Sequence, residues 1–191
     1  MLNIDTMQAD ERAQLFADVF RWVRKHGGGM TLPLVAYQER VKTWHTVFVD
    51  LAVVYQSPED NLSVLLERRP ESGHLYPGMY DFSGGNFHFR ETAEAAAERI
   101  LLGGLGLIGA RRFAGVATYV KTKAEIGVSL LFVVTVDKKD TEPGEGLNWR
   151  FFPLDELPKD VVPWQTAVYP KMIRNFISTG CPTLEEYYGQ E

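Results

Sequence analysis

Only one cysteine, Cys181, occurs in the 191 residues, so no disulfide can close within the chain. That scarcity fits a reducing compartment. Also missing is any apolar run near the ~20 residues a helix needs to cross a bilayer. The first ten residues lack the apolar core of a secretion signal. Together these absences make a cytoplasmic protein with no membrane partner the expectation. Positive charge is not in excess: 20 Lys and Arg stand against 25 Asp and Glu, for a net charge of -5. That argues against a chain-wide basic surface, so nucleic acid is not an expected partner. Internal repeats and low-complexity tracts are lacking as well. The remaining composition, 45% hydrophobic and 24% charged, is that of an ordinary globular protein. The length suits one domain with extensions, large enough to bury a core without staples.

Hydrophobic periodicity divides the chain. Leu15, Phe16, Val19, Phe20 and Val23 recur at helical spacing and predict a helix over residues 9–26, stopped by Gly27, Gly28 and Gly29. Residues 30–43 stay unassigned, with Pro33 breaking any helix there. From Trp44 the character turns to strands. Val and aromatic residues predict strands over 45–56 and 62–68, joined as a hairpin by a turn at 57–61 with Pro58, Asp60 and Asn61. A helix is predicted over 92–102, rich in alanine. Strands follow over 111–121, 125–136 and 149–152. A closing helix spans 163–177, with Pro163 near its first turn and a break or kink expected at Pro170. The polar tail 181–191 reads as loose. The division is thus an N-terminal helix and connector (1–43), a central domain (44–180) and a tail (181–191). Mixed strands and helices with hairpin connections suggest a mixed sheet between helices.

One stretch carries chemistry. Residues 65–107 read LLERRPESGHLYPGMYDFSGGNFHFRETAEAAAERILLGGLGL. Within it Gly85 is followed by five residues, Glu91, seven residues, Arg99, then Ile100, Leu101, Leu102, Gly103, Gly104, Leu105, Gly106 and Leu107. This spacing resembles the Nudix family, whose box is GX5EX7REUXEEXGU with U aliphatic. The upstream LLERRP, the run PGMYDFSGG and the later phrase at 149–157 also resemble the family. These flanks look most like members that act on isopentenyl diphosphate or on nucleotide sugars. The resemblance covers residues 44–157. It implies an α/β fold, the Nudix α/β/α sandwich with a mixed sheet; the helix over 9–26 lies outside it and adds an N-terminal helical extension.

The box departs from the family where the chemistry lies. The family's main metal-binding glutamates fall at Ile100, Gly103 and Gly104, and none of the three carries a carboxylate. Diphosphate cleavage builds negative charge on phosphoryl oxygens, and a bound metal offsets it. Magnesium takes hard oxygen ligands, which isoleucine and glycine lack. Glu91, Glu94 and Glu98 share one helical face, and at ~100° per residue that face points away from Ile100. Paired glycines also favour an early helix end near Leu102, with Gly103 or Gly104 left-handed.

The expectation is therefore a Nudix-fold protein with a degenerate metal site, non-catalytic or atypical, with no resident cofactor. Its cleft would bind a phosphorylated or nucleotide-like small molecule. Ligand-binding candidates are Arg68, Arg69, His88, Gly84 and Gly85, arginine being suited to two-toothed phosphate recognition. The alternative is a working hydrolase of a nucleoside diphosphate derivative, holding Mg2+ or Mn2+ through Glu98, Glu142 or Glu145. A third reading is an interaction module whose N-terminal helix drives homodimerisation. His74 and His88 flank the glycine pair and could bind a ligand or shuttle protons, but a lone histidine is more often structural or solvated. Asp50, Glu67 and Asp81 read as isolated carboxylates, and Trp44, Trp149 and Trp164 as core. No cysteine lies near Gly84, which argues against isomerase chemistry.

Overall fold

A computed structural model of the chain describes residues 46–59, 61–72, 76–88, 90–122, 125–142 and 147–188. The helix expected over 9–26 and the unassigned 30–43 segment lie outside the described residues, as do His74 and Glu145. Strand β1, Thr46–Gln56, is the spine of the sheet. Its middle, Val49 through Val54, is buried on both sides, as a central strand covered on two faces requires. It forms the expected hairpin with β2, Leu62–Arg68, with Val54 opposite Val64. Its other edge pairs in parallel with β6, Glu125–Thr135. Two short strands, β3 (Tyr80–Asp81) and β4 (Gly84–Asn86), attach to β2 and β1. Strand β5, Arg111–Thr122, runs antiparallel to β6. Strand β7, Trp149–Pro153, pairs with β2. With β8, Thr183–Tyr188, at the far edge, the order is β3-β2-β1-β6-β5-β8, a mixed sheet as expected.

Each face of this sheet carries a helix. Helix α1, Ala93–Arg99, seats Ala96 and Ala97 against Val49, Leu51, Val53 and Phe132. Helix α2, Pro163–Thr179, buries Trp164, Val168, Tyr169, Met172, Ile173 and Phe176 against the other face. Pro163 opens α2 and left-handed Gly180 closes it (φ 70°). The break expected at Pro170 does not occur; the helix runs through it. The row of buried side chains outweighs the one backbone bond that proline forfeits. Among the described residues no helix is long and apolar enough to cross a membrane.

A second departure lies at the C-terminus. The stretch read as a loose polar tail contains β8, Thr183–Tyr188, paired in parallel with β5. Gly115 makes this possible. Its φ of 141° strains any side chain, and a Cβ there would stand 2.0 Å from the Thr183 carbonyl oxygen. Lys171 of α2 then ties the strand down through Glu185, at 2.8 Å.

Candidate functional site

The box folds around one ion pair. Arg99, in the last turn of α1, reaches back to Glu91 just ahead of the helix, with Nε at 2.8 Å from Oε1 and Nη2 at 2.9 Å from Oε2. Glu91 Oε2 also accepts from the His88 backbone N–H at 2.8 Å, and Arg99 Nη2 donates to the Asn86 carbonyl at 2.9 Å. The Arg99 bonds, with the His88 amide, hold the Glu91 carboxyl well down, at about 2. Thr92 caps the helix by accepting from the Ala95 N–H. The pair thus locks the loop before α1 to the helix itself.

Beyond Arg99 the helix widens. Ile100–Gly104 form a π-helical turn in place of the expected end near Leu102. Neither Gly103 nor Gly104 is left-handed; Gly106 is, with φ 68°. The Gly106 N–H donates to the Leu102 carbonyl and the Leu107 N–H to that of Leu101. The helix therefore continues to the box's last glycine, and the expectation of an early stop is corrected. Glycine costs a helix ~1 kcal/mol, but the burial of Leu101, Leu105 and Leu107 on the sheet keeps this turn wound.

The three positions without carboxylates differ in surroundings. Ile100 is buried and faces Gly85, where a Cβ would sit 3.6 Å from its Cδ1. Gly103 and Gly104 are exposed, with nothing within 4 Å of where a Cβ would be. The adjacent surface is apolar: Leu102 and Ile108 are exposed, and Leu147 approaches Gly106. Glu94 and Glu98 are exposed, and Glu98 stands 3.5 Å from Arg111. Glu142 is exposed too. Among the described residues no three His, Cys, Asp or Glu side chains group to hold a metal ion.

The two arginines go separate ways. Arg68 lies over the Tyr80 ring, 5.6 Å from its centroid, and 3.7 Å from Glu71, half exposed. Arg69 forms an ion pair with Asp81. His88 is half-buried and meets the box through its backbone. Gly84 is opposite Asp50 in the β1–β4 pair, and a Cβ there would stand 1.8 Å from Asp50 Oδ1. Only glycine admits the carboxylate beneath it.

That carboxylate opens a cluster that sequence reasoning missed. Asp50 is buried, and its Oδ2 accepts from Tyr169 Oη and, at 2.8 Å, from Ser129 Oγ. Burial and the nearby Asp81 charge push its carboxyl up to about 7. Burial also raises Asp81, against the pull of Arg69, and raises Glu67, its cross-strand partner. Gln165 Oε1 accepts from the Phe82 N–H at 3.2 Å and completes the group. The carboxylates read as isolated are brought together here. One signal was available: an aspartate in the middle of the apolar run VFVDLAVV.

The chain belongs to the NUDIX domain family, whose profile matches residues 46–172. It is similar to a MutT/nudix family protein from Listeria innocua at 18% identity and TM-score 0.59, over 71% of this chain and 95% of that one. It is also similar to the NUDIX domain of Shewanella oneidensis NrtR, solved with ADP ribose, at 13% identity and TM-score 0.58, over 76% and 99%. The longer NrtR solved with a 27mer DNA matches at 14% identity and TM-score 0.59, over 69% of this chain and 62% of that one. No curated protein matches.

Proposed function

We propose that the Nudix unit, residues 44–180, binds a phosphorylated or nucleotide-like small molecule and does not cleave diphosphates by the family's metal-dependent route. One observation carries this reading. The structural half of the box is intact, with Glu91 held by Arg99 and left-handed Gly106 closing the helix, while Ile100, Gly103 and Gly104 stand at the metal-ligand positions. That donor set does not fit Mg2+ or Mn2+, which take oxygen ligands, chiefly carboxylates and water. Ile100 is buried apolar, the glycines have no side chain, and Glu91 is spent on Arg99.

The ligand class rests on the fold relative solved with ADP ribose and on Arg68, whose guanidinium is half exposed and suited to phosphate oxygens. His88, Gly84 and Gly85 are the further ligand-binding candidates in this reading. Nucleic acid is not the proposed partner, in keeping with the net charge of -5. The rival, a hydrolase using Glu98, Glu142 or Glu145, has less support: Glu98 and Glu142 are exposed and Glu98 lies beside Arg111.

Calorimetry with ADP ribose in EDTA tests the reading. Binding is expected without metal, weakened about tenfold by Arg68→Ala, the loss of one charged hydrogen bond. Binding that appears only on adding Mg2+ supports the rival. No binding of ADP ribose, ADP or a prenyl diphosphate under either condition overturns the small-molecule reading.

A further inference from the structure

Helix α1 covers only part of its face of the sheet. Residues opposite one another across paired strands share a face. Val47 lies opposite Val128, and Leu130 opposite Val116, which is in turn opposite Leu184. Tyr188 continues the row on β8. Val49, opposite Leu130, is buried with Ala96 and Ala97 of α1, so this is the α1 side. Past α1 the strip lies open: Leu184 and Tyr188 are each 67% exposed and Val47 42%. Apolar side chains thus stand on four adjoining strands of this face, with Thr118 and Glu186 set among them, and exposed apolar clusters of this kind favour docking.

The chain holds a matching surface of its own. Leu15, Phe16, Val19, Phe20 and Val23 form one apolar stripe at helical spacing. The 45 residues ahead of β1 lead into Thr46, beside Val47, which belongs to the open strip. At ~3.3 Å per residue the 27–45 connector reaches about 60 Å, ample for a return to the sheet. Being tethered, the stripe meets the strip at high effective concentration, which favours it over a second copy. Charge agrees: Arg12 is the one charged residue in line with the stripe, and Glu186 on β8 is exposed on the strip's side.

We propose that residues 9–26 form an amphipathic helix that docks on this strip within the same molecule, as a third helix covering the α1 side of the sheet. The proposal does not depend on the ligand-binding reading of the box.

Hydrogen exchange on the full chain, with mass from light scattering, is the test. The wild type is expected to be a monomer whose 15–23 amides are protected. Leu184→Lys, at an already exposed position, should speed exchange across 9–26 by tenfold or more while leaving α2 unchanged. Phe20→Lys should speed exchange in β8. Arg12→Glu should loosen the contact, and adding Glu186→Arg should restore it. Three outcomes overturn the proposal. The 9–26 amides of the wild type exchange at the rate of an unstructured peptide. Protection in 9–26 is indifferent to Leu184→Lys. Or the wild type is a dimer that Leu184→Lys converts to monomer, which places a second copy on the strip.

Discussion

Arg99 grips Glu91 with two nitrogens, at 2.8 and 2.9 Å, across the first turns of the box helix. Glu91 is nearly buried, its side chain 11% exposed, so removing Arg99 leaves a carboxylate short of partners. Arg99→Ala is expected to lower stability by about 2 kcal/mol, the scale of charge-assisted hydrogen bonds. Urea unfolding at pH 7 checks it, and no change in midpoint would contradict it. Because the folded-state pKa is held near 2, below the ordinary 4.5, the pair's contribution is complete above pH 4.5. It fades as pH falls toward 2.

Asp50 gives a pH dependence of the opposite sign. Its carboxyl is raised from 3.8 to about 7 in the folded protein, so the folded state keeps a proton that the unfolded state has released. Stability from this group is full below about pH 4 and is lost as pH rises through 7, on the order of 4 kcal/mol in all. Asp50→Asn should flatten that slope and make the protein more stable than wild type at pH 8. Denaturant unfolding at pH 5, 6, 7 and 8 measures it. An unchanged slope in the variant would show that another group is responsible.

Gly103 and Gly104 have open space where side chains would go. Alanine at either should therefore stabilise the π turn, by up to ~1 kcal/mol each on helix propensity. Gly84→Ala should do the reverse, since its Cβ would strike Asp50 Oδ1. Overpacking of that kind costs about 1–3 kcal/mol. Thermal melts of the three variants decide the signs, and a destabilised Gly103→Ala would contradict the open-space argument.

Gly115→Ala should detach β8. The Cβ would meet the Thr183 backbone, and φ 141° disfavours alanine independently. Hydrogen exchange in 183–188 is expected to approach that of a free strand, with α2 still protected. Undiminished protection of β8 would mean that the strand is held by its side chains, such as Glu185 on Lys171.

Much of this architecture is legible in the sequence because it rests on patterns of period two and on fixed spacings. The β1–β2 hairpin follows from apolar runs around a Pro, Asp and Asn turn, and the box spacing marks Glu91 and Arg99, although not that the two pair. What escaped depends on long-range packing. Gly103 and Gly104 look like a helix stop locally, but burial of Leu101, Leu105 and Leu107 carries the turn on to Gly106. Pro170 looks like a break, but α2 is fixed by its buried face. Residues 183–188 look like a tail because their strand partner, opposite Gly115, is far away in the chain. Asp50 meets Ser129 and Tyr169 across 79 and 119 residues, a distance that no local spacing reveals.

The most direct measurement of the central claim is metal-dependent turnover by the full chain. The substrate panel is nucleoside diphosphate sugars, dinucleoside polyphosphates and prenyl diphosphates, each with Mg2+ and with Mn2+. With Ile100, Gly103 and Gly104 at the ligand positions, the prediction is no metal-dependent release of phosphate or monophosphate above the uncatalysed rate. Turnover near 1 s⁻¹ or faster, on the order of ordinary enzymes, that is lost in EDTA would contradict the account. Loss of that turnover in Glu98→Ala, Glu142→Ala or Glu145→Ala would then identify the substitute ligand.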